Sequence, residues 1–391
     1  MPRSVAPQRL WFLLAVLPIA AAAALRGQGP SDGVTATTIA IGVEAEVGSL
    51  SLDGENLGFR LAFEEANADG GVHGRRFVWT DRRRASGDPA DVLAVARRMI
   101  DDDGVFAIVN FSGPAIGDIV AHARTRRVPV LFPHTALISS AGERYLFTSF
   151  PPFEGESAVM YRYLAEERGL RTLAIAHDPN AYGAGFRDRL QASAARFGYR
   201  YAGAVAVASR RPADLSTELA TLVAMKPDAI VMALYPEQAQ ALMAARARAG
   251  WTGRMVSTGP LTDEASLTVP GASADGTLGF CHYPDPERSD AAGVVRYRAA
   301  IARLRPGRAV DRYTLYGYTF GRLVVEGIRR AGRDLTRERF VDAMEGIRAW
   351  DAGDVMPPVS FSATDHHAQR AGYICEMQGG RLVPRSGWIA P

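Results

Sequence analysis

Four short segments carry residues suited to holding a small solute. FSGPA (Phe111–Ala115) puts Phe111, Ser112, Gly113 and Ala115 at an expected helix start. Pro114 fits the first helical position there, and the unpaired N–H groups of such a start bind carboxylates and other anions. PHTAL (Pro133–Leu137) offers a donor and an acceptor in His134 and Thr135, although a lone histidine is more often structural than a ligand contact. Tyr182 in HDPNAYGAGF (His177–Phe186) and Tyr235 in ALYPEQ (Ala233–Gln238) bring rings with apolar area and a phenolic hydroxyl. Plain packing at the loops is the alternative for both.

Covalent and metal chemistry find no complete motif. GAGFRD (Gly183–Asp188) begins like a dinucleotide fingerprint, but Asp188 stands where the third glycine belongs. Gly155–Glu156–Ser157 lacks the closing glycine of a nucleophile elbow. Asp365, His366 and His367 fall in an expected hairpin without an identifiable further ligand. No H-E-x-x-H and no P-loop occurs. No catalytic or metal-binding residue is assigned, and an enzyme is not expected.

The elements that position these loops follow a regular alternation. Apolar runs at Thr38–Val43, Arg76–Asp81, Val105–Asn110 and Val128–Pro133 are separated by amphipathic stretches at Gly54–Asn67, Pro89–Asp102 and Ala115–Arg126. A second series begins after Pro151–Pro152, with strands expected at Leu173–Asp178, Tyr201–Val207, Ala229–Leu234 and Arg254–Thr258. This alternation predicts βαβ units around mainly parallel sheets. Each candidate loop follows a strand, the edge at which open α/β sheets bind ligands. Thr277–Phe280 and the stretch near Phe147–Pro152 read as crossovers, and the C-terminus as a hairpin turning at Gly379–Gly380.

The totals agree with two lobes. A chain of 391 residues, 47% hydrophobic, exceeds one ordinary core. Its 45 basic and 42 acidic residues nearly cancel, which argues against nucleic acid as a partner. Arg3 and Arg9 precede the apolar run Leu10–Ala24, the pattern of a secretory signal cleaved near Ala22–Ala24. Two cysteines, Cys281 and Cys375, make either one disulfide in an oxidising compartment or two buried thiols.

In order along the chain, EEANADGGVHGRRF (Glu64–Phe77), the Asp88–Pro89 turn, HDPNAYGAGF, ALYPEQ, TLYGYTFGRLVVEGIRRAG (Thr314–Gly332) and the closing VSF…GGRLVP resemble one family. It is the type I periplasmic binding proteins of the leucine/isoleucine/valine-binding class, which serve ABC importers. The resemblance implies two doubly wound α/β lobes joined by a multi-strand hinge. It divides the chain into lobe one at 37–150 plus 279–355 and lobe two at 151–278 plus 356–391, after a signal peptide at 1–24. It implies a small-molecule ligand between the lobes, no cofactor, a monomer in the periplasm, and an inner-membrane ABC permease as partner. A ligand-sensing module that reports to a membrane receptor is the rival on the same fold.

The resemblance also implies ligand contacts at the 111–115 loop, Thr135 and Tyr182, and it marks two departures. Pro114 stands about where the family's amino-acid binders place a serine hydroxyl. Leu261 stands near the acid that pairs with a ligand ammonium, with Asp263 or Glu264 the nearest substitutes. An unpaired buried ammonium is costly. A ligand other than a branched-chain amino acid is expected, either an amine-free carboxylate or a more apolar solute. The Arg82–Arg84 run favours an anion, or is a solvated face.

Overall fold

Apolar residues on both sides of a strand need cover on both sides, and the two sheets obtain it from helices and loops. The computed structural model describes residues 32–45, 48–272 and 274–391. The expected signal segment, 1–24, lies outside the described residues. The first sheet holds β1 (Thr38–Glu44), β2 (Arg76–Arg82), β3 (Ala107–Val109), β4 (Val130–Leu131) and β5 (Leu146–Phe147). Its order is β2-β1-β3-β4-β5, and all neighbours are parallel. Ala107 and Val109 face one apolar layer while Ile108 faces the other.

The second sheet holds β6 (Thr172–His177), β7 (Arg200–Ala206), β8 (Ala229–Ala233), β9 (Arg254–Ser257), β10 (Leu278–Cys281), β11 (Tyr373–Gln378) and β12 (Arg381–Pro384). Its order is β12-β11-β10-β9-β8-β6-β7. The β10–β11 and β11–β12 pairs are antiparallel, and the other neighbours are parallel. Along β6, Leu173 and Ile175 enter one layer, and Ala174 and Ala176 the opposite one.

Sheet membership departs from the expected lobe limits at two places. Leu278–Cys281 is a strand of the second sheet rather than a crossover. Val359, Phe361 and Ala368 pack into the first core, although the expected boundary at 356 put them in lobe two. Hydrophobic pattern marks a buried strand without saying which sheet takes it. Cys281 and Cys375 form a disulfide that joins β10 to β11, which answers the question the two cysteines left open.

Three segments run between the lobes, and hydrogen bonds tie them together. Thr148 N–H donates to the His366 carbonyl (3.0 Å), and Ala368 N–H donates to the Thr148 carbonyl (2.8 Å). The Gln369 amide nitrogen donates to the His282 carbonyl at 2.9 Å, and the Tyr283 hydroxyl donates to Gln369 Oε1 at 2.7 Å.

Lobe one is braced by two long helices, Leu50–Ala68 and Arg312–Ala331. They touch backbone to backbone because glycine stands at the crossing. A Cβ on Gly58 would lie 2.2 Å from the Thr314 carbonyl oxygen, and one on Gly317 would lie 1.9 Å from that of Glu55. Neither helix can yield without moving its lobe. Gly58→Ala is therefore expected to cost about 2–3 kcal/mol by overpacking, read by urea unfolding. Gly117→Ala, which meets open space in the Ile116–Thr125 helix, is expected to be neutral or slightly stabilising.

Candidate ligand cleft

β3 and β4 are cut short in the same way. Asn110 and Phe132, each the first residue past its strand, take left-handed backbone with φ of 52° and 53°. Such a conformation is uncommon for asparagine and rarer for phenylalanine, and it persists only where the surroundings enforce it. Asn110 is held by its side chain, which donates to Asn56 Oδ1 at 2.9 Å. The two kinks turn 111–115 and 133–137 side by side, with Ser112 and His134 bridged as in a parallel pair.

On this wall His134 is a partly exposed polar group expected at the site. Its Nδ1 lies 2.8 Å from Glu55 Oε2 and its Nε2 3.3 Å from Ser51 Oγ. Burial pushes the Glu55 carboxyl up. Burial would push the imidazole down, but the charge and hydrogen bond of Glu55 reverse this, so His134 binds its proton above the ordinary value. Thr135 Oγ1 accepts from the Leu137 N–H at 3.1 Å, and Gly113 lies flush against Thr135.

The expected anion site is already in use. Ser112 N–H donates to Oε2 of the fully buried Glu44 at 3.1 Å. Arg84 reaches in from the arginine run, 3.2 Å from Glu44 Oε1 and 2.9 Å from Ser112 Oγ. Phe111 and Ala115 are buried in the apolar layer behind the loop. This wall therefore carries its own carboxylates and its own cations.

Lobe two presents its strand ends opposite. Tyr182 is buried, its hydroxyl 2.5 Å from Thr258 Oγ1, and burial holds that hydroxyl well above the ordinary tyrosine range. Tyr235 is half-buried, edge-on to Tyr182 at 5.7 Å, and its other face carries the Arg210 guanidinium 3.7 Å from the ring centre. Asn180 Nδ2 donates to its hydroxyl at 3.1 Å. Leu261 is fully buried in the lobe-two core. Asp263 is buried too, and Oδ1 caps the Glu264–Leu267 turn by accepting from Ala265 N–H (2.8 Å) and Ser266 N–H (3.3 Å). The lobes meet here: Arg312 grips Glu264 at 2.7 and 2.8 Å, and Tyr313 lies 3.2 Å from Ser266 Oγ.

The periplasmic binding protein family matches this chain over residues 41–381. The chain belongs to that family. It is a family of binding proteins, not of enzymes. Among curated relatives, a Leu/Ile/Val-binding protein homolog 2 of Brucella abortus is 27% identical over 315 residues, covering 77% of this chain and 80% of the relative. An amino acid binding protein of Pseudomonas aeruginosa is 24% identical over 310 residues, covering 75% and 80%. A fatty acid ABC transporter substrate-binding protein from Thermomonospora curvata has the same fold, with TM-score 0.80, 21% identity and coverage of 93% and 95%. So does a branched-chain amino acid ABC transporter protein of Thermus thermophilus with bound valine, at TM-score 0.79, 18% identity and coverage of 91% and 97%.

Several polar residues of this family member's cleft escaped the reading of loops alone. Glu55 and Glu156 each sit on the buried face of an amphipathic helix, where spacing asks for an apolar side chain. Phe153, Met160 and Tyr163 mark that face around Glu156. A carboxylate in such a position is the signal that marks them.

Asp263 gives a pH test. Burial first, and then the neighbouring Glu264, raise its carboxyl from 3.8 to about 6. The folded state thus holds a proton the unfolded chain releases, and that stability, complete below about pH 4, is lost as pH rises through about 6. Asn at 263 keeps the capping oxygen without the charge. Asp263→Asn is expected to match the parent near pH 4 and exceed it by roughly 1–3 kcal/mol near pH 7, measured by denaturant unfolding at both values.

Proposed function

We propose that this is an exported, periplasmic, monomeric solute-binding protein. It captures a small organic ligand between its lobes and delivers it to an inner-membrane ABC permease. The observation that carries the reading is the pair of facing strand-end loops on lobes linked by three tied segments, with half-buried Tyr235 and partly exposed His134 available on opposite sides. Family membership and the functions for which the relatives are named support the transport role.

In this reading lobe one binds first, through the His134–Thr135 loop and the 111–115 turn. Lobe two then closes with Tyr235 over the ligand, backed by Tyr182. Closure is favoured only to the extent that the ligand gains contacts in the closed form, so the lobe-two side shares in specificity. The solute is not a branched-chain amino acid. Its carboxylate would find the Ser112 amide already engaged by Glu44, and Leu261 puts no acid where the amino-acid binders hold the ammonium. Relatives and neighbours named for amino acids and for a fatty acid leave both polar and apolar classes within the family's range. Of the two expected classes, the more apolar solute fits better, because a carboxylate would have to displace Glu44.

A thermal-shift library of amino acids, aliphatic and aromatic carboxylates and neutral apolar metabolites tests capture, since a ligand selective for the folded state raises the melting temperature. A neutral solute is expected to raise it and to reduce the radius of gyration in solution scattering. Tyr235→Ala is expected to weaken that binding roughly 3- to 10-fold by loss of ring contact. A blank library, or a hit whose affinity is untouched by Tyr235→Ala, would count against capture in this cleft.

A further inference from the structure

At the carboxyl edge of the second sheet two buried polar atoms face each other, neither hydrogen-bonded to a described residue. Glu156 is fully buried, and its Oε1 accepts from the Gly259 N–H at 2.6 Å. Among the described residues its Oε2 has no hydrogen-bond partner, and neither has Nε2 of His282, 3.6 Å away. That gap is too long for a hydrogen bond. A buried carboxylate oxygen left unsatisfied costs free energy, so a native structure that keeps one calls for a reason.

Position supplies it. Glu156 lies in the first turn of the helix after a crossing segment, Phe153–Arg162, Gly259 follows β9, and His282 follows the parallel β10, so all three meet at the carboxyl edge of the second sheet, where such folds bind ligands. Gly259 keeps the arrangement open: a Cβ there would come within 2.5 Å of His282 Nε2 and 2.7 Å of Glu156 Oε2. Phe150 links this corner to the opposite wall, its ring 6.1 Å from that of His282 and 5.7 Å from that of His134. The Phe150 ring is itself stacked on Tyr316 at 4.8 Å.

We infer that Glu156 and His282 form a polar subsite for a single protic group of the ligand, a hydroxyl or an amine. This rests on the capture of a solute in the cleft. Two atoms 3.6 Å apart can both lie about 2.8 Å from one third atom. A hydroxyl there donates to Glu156 Oε2 and shares its other hydrogen bond with His282 Nε2. An amine donates to both when the imidazole is neutral. A carboxylate is rejected, because it would meet the Glu156 charge across a dry gap. The subsite adds one anchored polar end to an otherwise apolar ligand.

The test uses the mature protein with three probes that share a ring and differ in their polar end: benzyl alcohol, benzylamine and benzoate. Calorimetry is expected to show binding of the first two and at least tenfold weaker binding of benzoate. Glu156→Gln keeps an oxygen for Gly259 and is expected to weaken benzylamine at least tenfold. His282→Gln is expected to weaken benzyl alcohol. In protein labelled with nitrogen-15 at histidine, benzyl alcohol is expected to shift the His282 ring signals in the parent and not in Glu156→Gln. Benzoate binding as tightly as benzylamine, no binding of either protic probe, or unchanged affinity in both variants would overturn the inference. A library solute that binds both variants as tightly as the parent sinks this subsite alone, whereas a library blank against the parent sinks solute capture itself.

Discussion

The buried side-chain amide of Gln369 holds the molecule's two halves in one geometry. Its nitrogen donates to the His282 carbonyl, its oxygen accepts from Tyr283, and its backbone N–H donates to Ser149. One residue of the third crossing thus grips both of the others. An amide carries donors and an acceptor in one plane, so the side chain can donate to the His282 carbonyl and accept from the Tyr283 hydroxyl at once, while the backbone N–H reaches Ser149. Each crossing leaves its lobe with backbone groups that no sheet can pair, and burial makes those groups expensive unless something meets them. Around this junction lie Tyr316 against Ser149, Phe150 against Tyr316, and Arg312 on the Tyr283 carbonyl.

Beyond the junction, the cleft is organised by internal pairing of charge. Glu44 and Arg84, Glu55 and His134, and Glu264 and Arg312 bring opposite charges together within or beside the cleft. Buried ions need partners of this kind, because desolvation otherwise exceeds what burial returns. The result is a wall that is polar in composition and nearly neutral in effect. Such a wall discriminates by hydrogen-bond geometry and shape more than by attraction of net charge. Glu156 differs from the others, because its facing base stands off at 3.6 Å instead of closing on it.

The fold was legible because βαβ units write two periods into a chain, and those periods survive without any knowledge of contacts. Strand ends were less so: Val105–Asn110 and Val128–Pro133 read as long strands, yet Asn110 and Phe132 stop them through a backbone conformation that residue type does not announce. The loops at 111–115 and 133–137 follow β3 and β4 and lie side by side, and the rings of Tyr182 and Tyr235 come edge to face. Their side chains were harder to read. That Ser112 would find Glu44, from a strand 68 residues earlier, is a fact of packing across the sheet. Leu261 was correctly seen to lack an acid, but its burial in the core had no local mark. His282 was not singled out from the sequence; its place just after β10 brings it to Glu156.

The disulfide closes a covalent ring over 94 residues of chain, and most of lobe one's second half lies inside that ring. Lobe one is completed by an excursion that leaves β10, builds the Ala292–Leu304, Arg312–Ala331 and Arg337–Glu345 helices, and returns to β11. The crosslink fastens the two ends of this excursion next to each other within lobe two. Should the helices melt, their chain stays a tethered loop whose ends need not find one another again, which removes part of the entropy a refolding segment must lose. Because both cysteines belong to the same sheet, the tether adds no direct bond between the lobes. The covalent constraint guards the inserted half while leaving the angle between the lobes to the hinge.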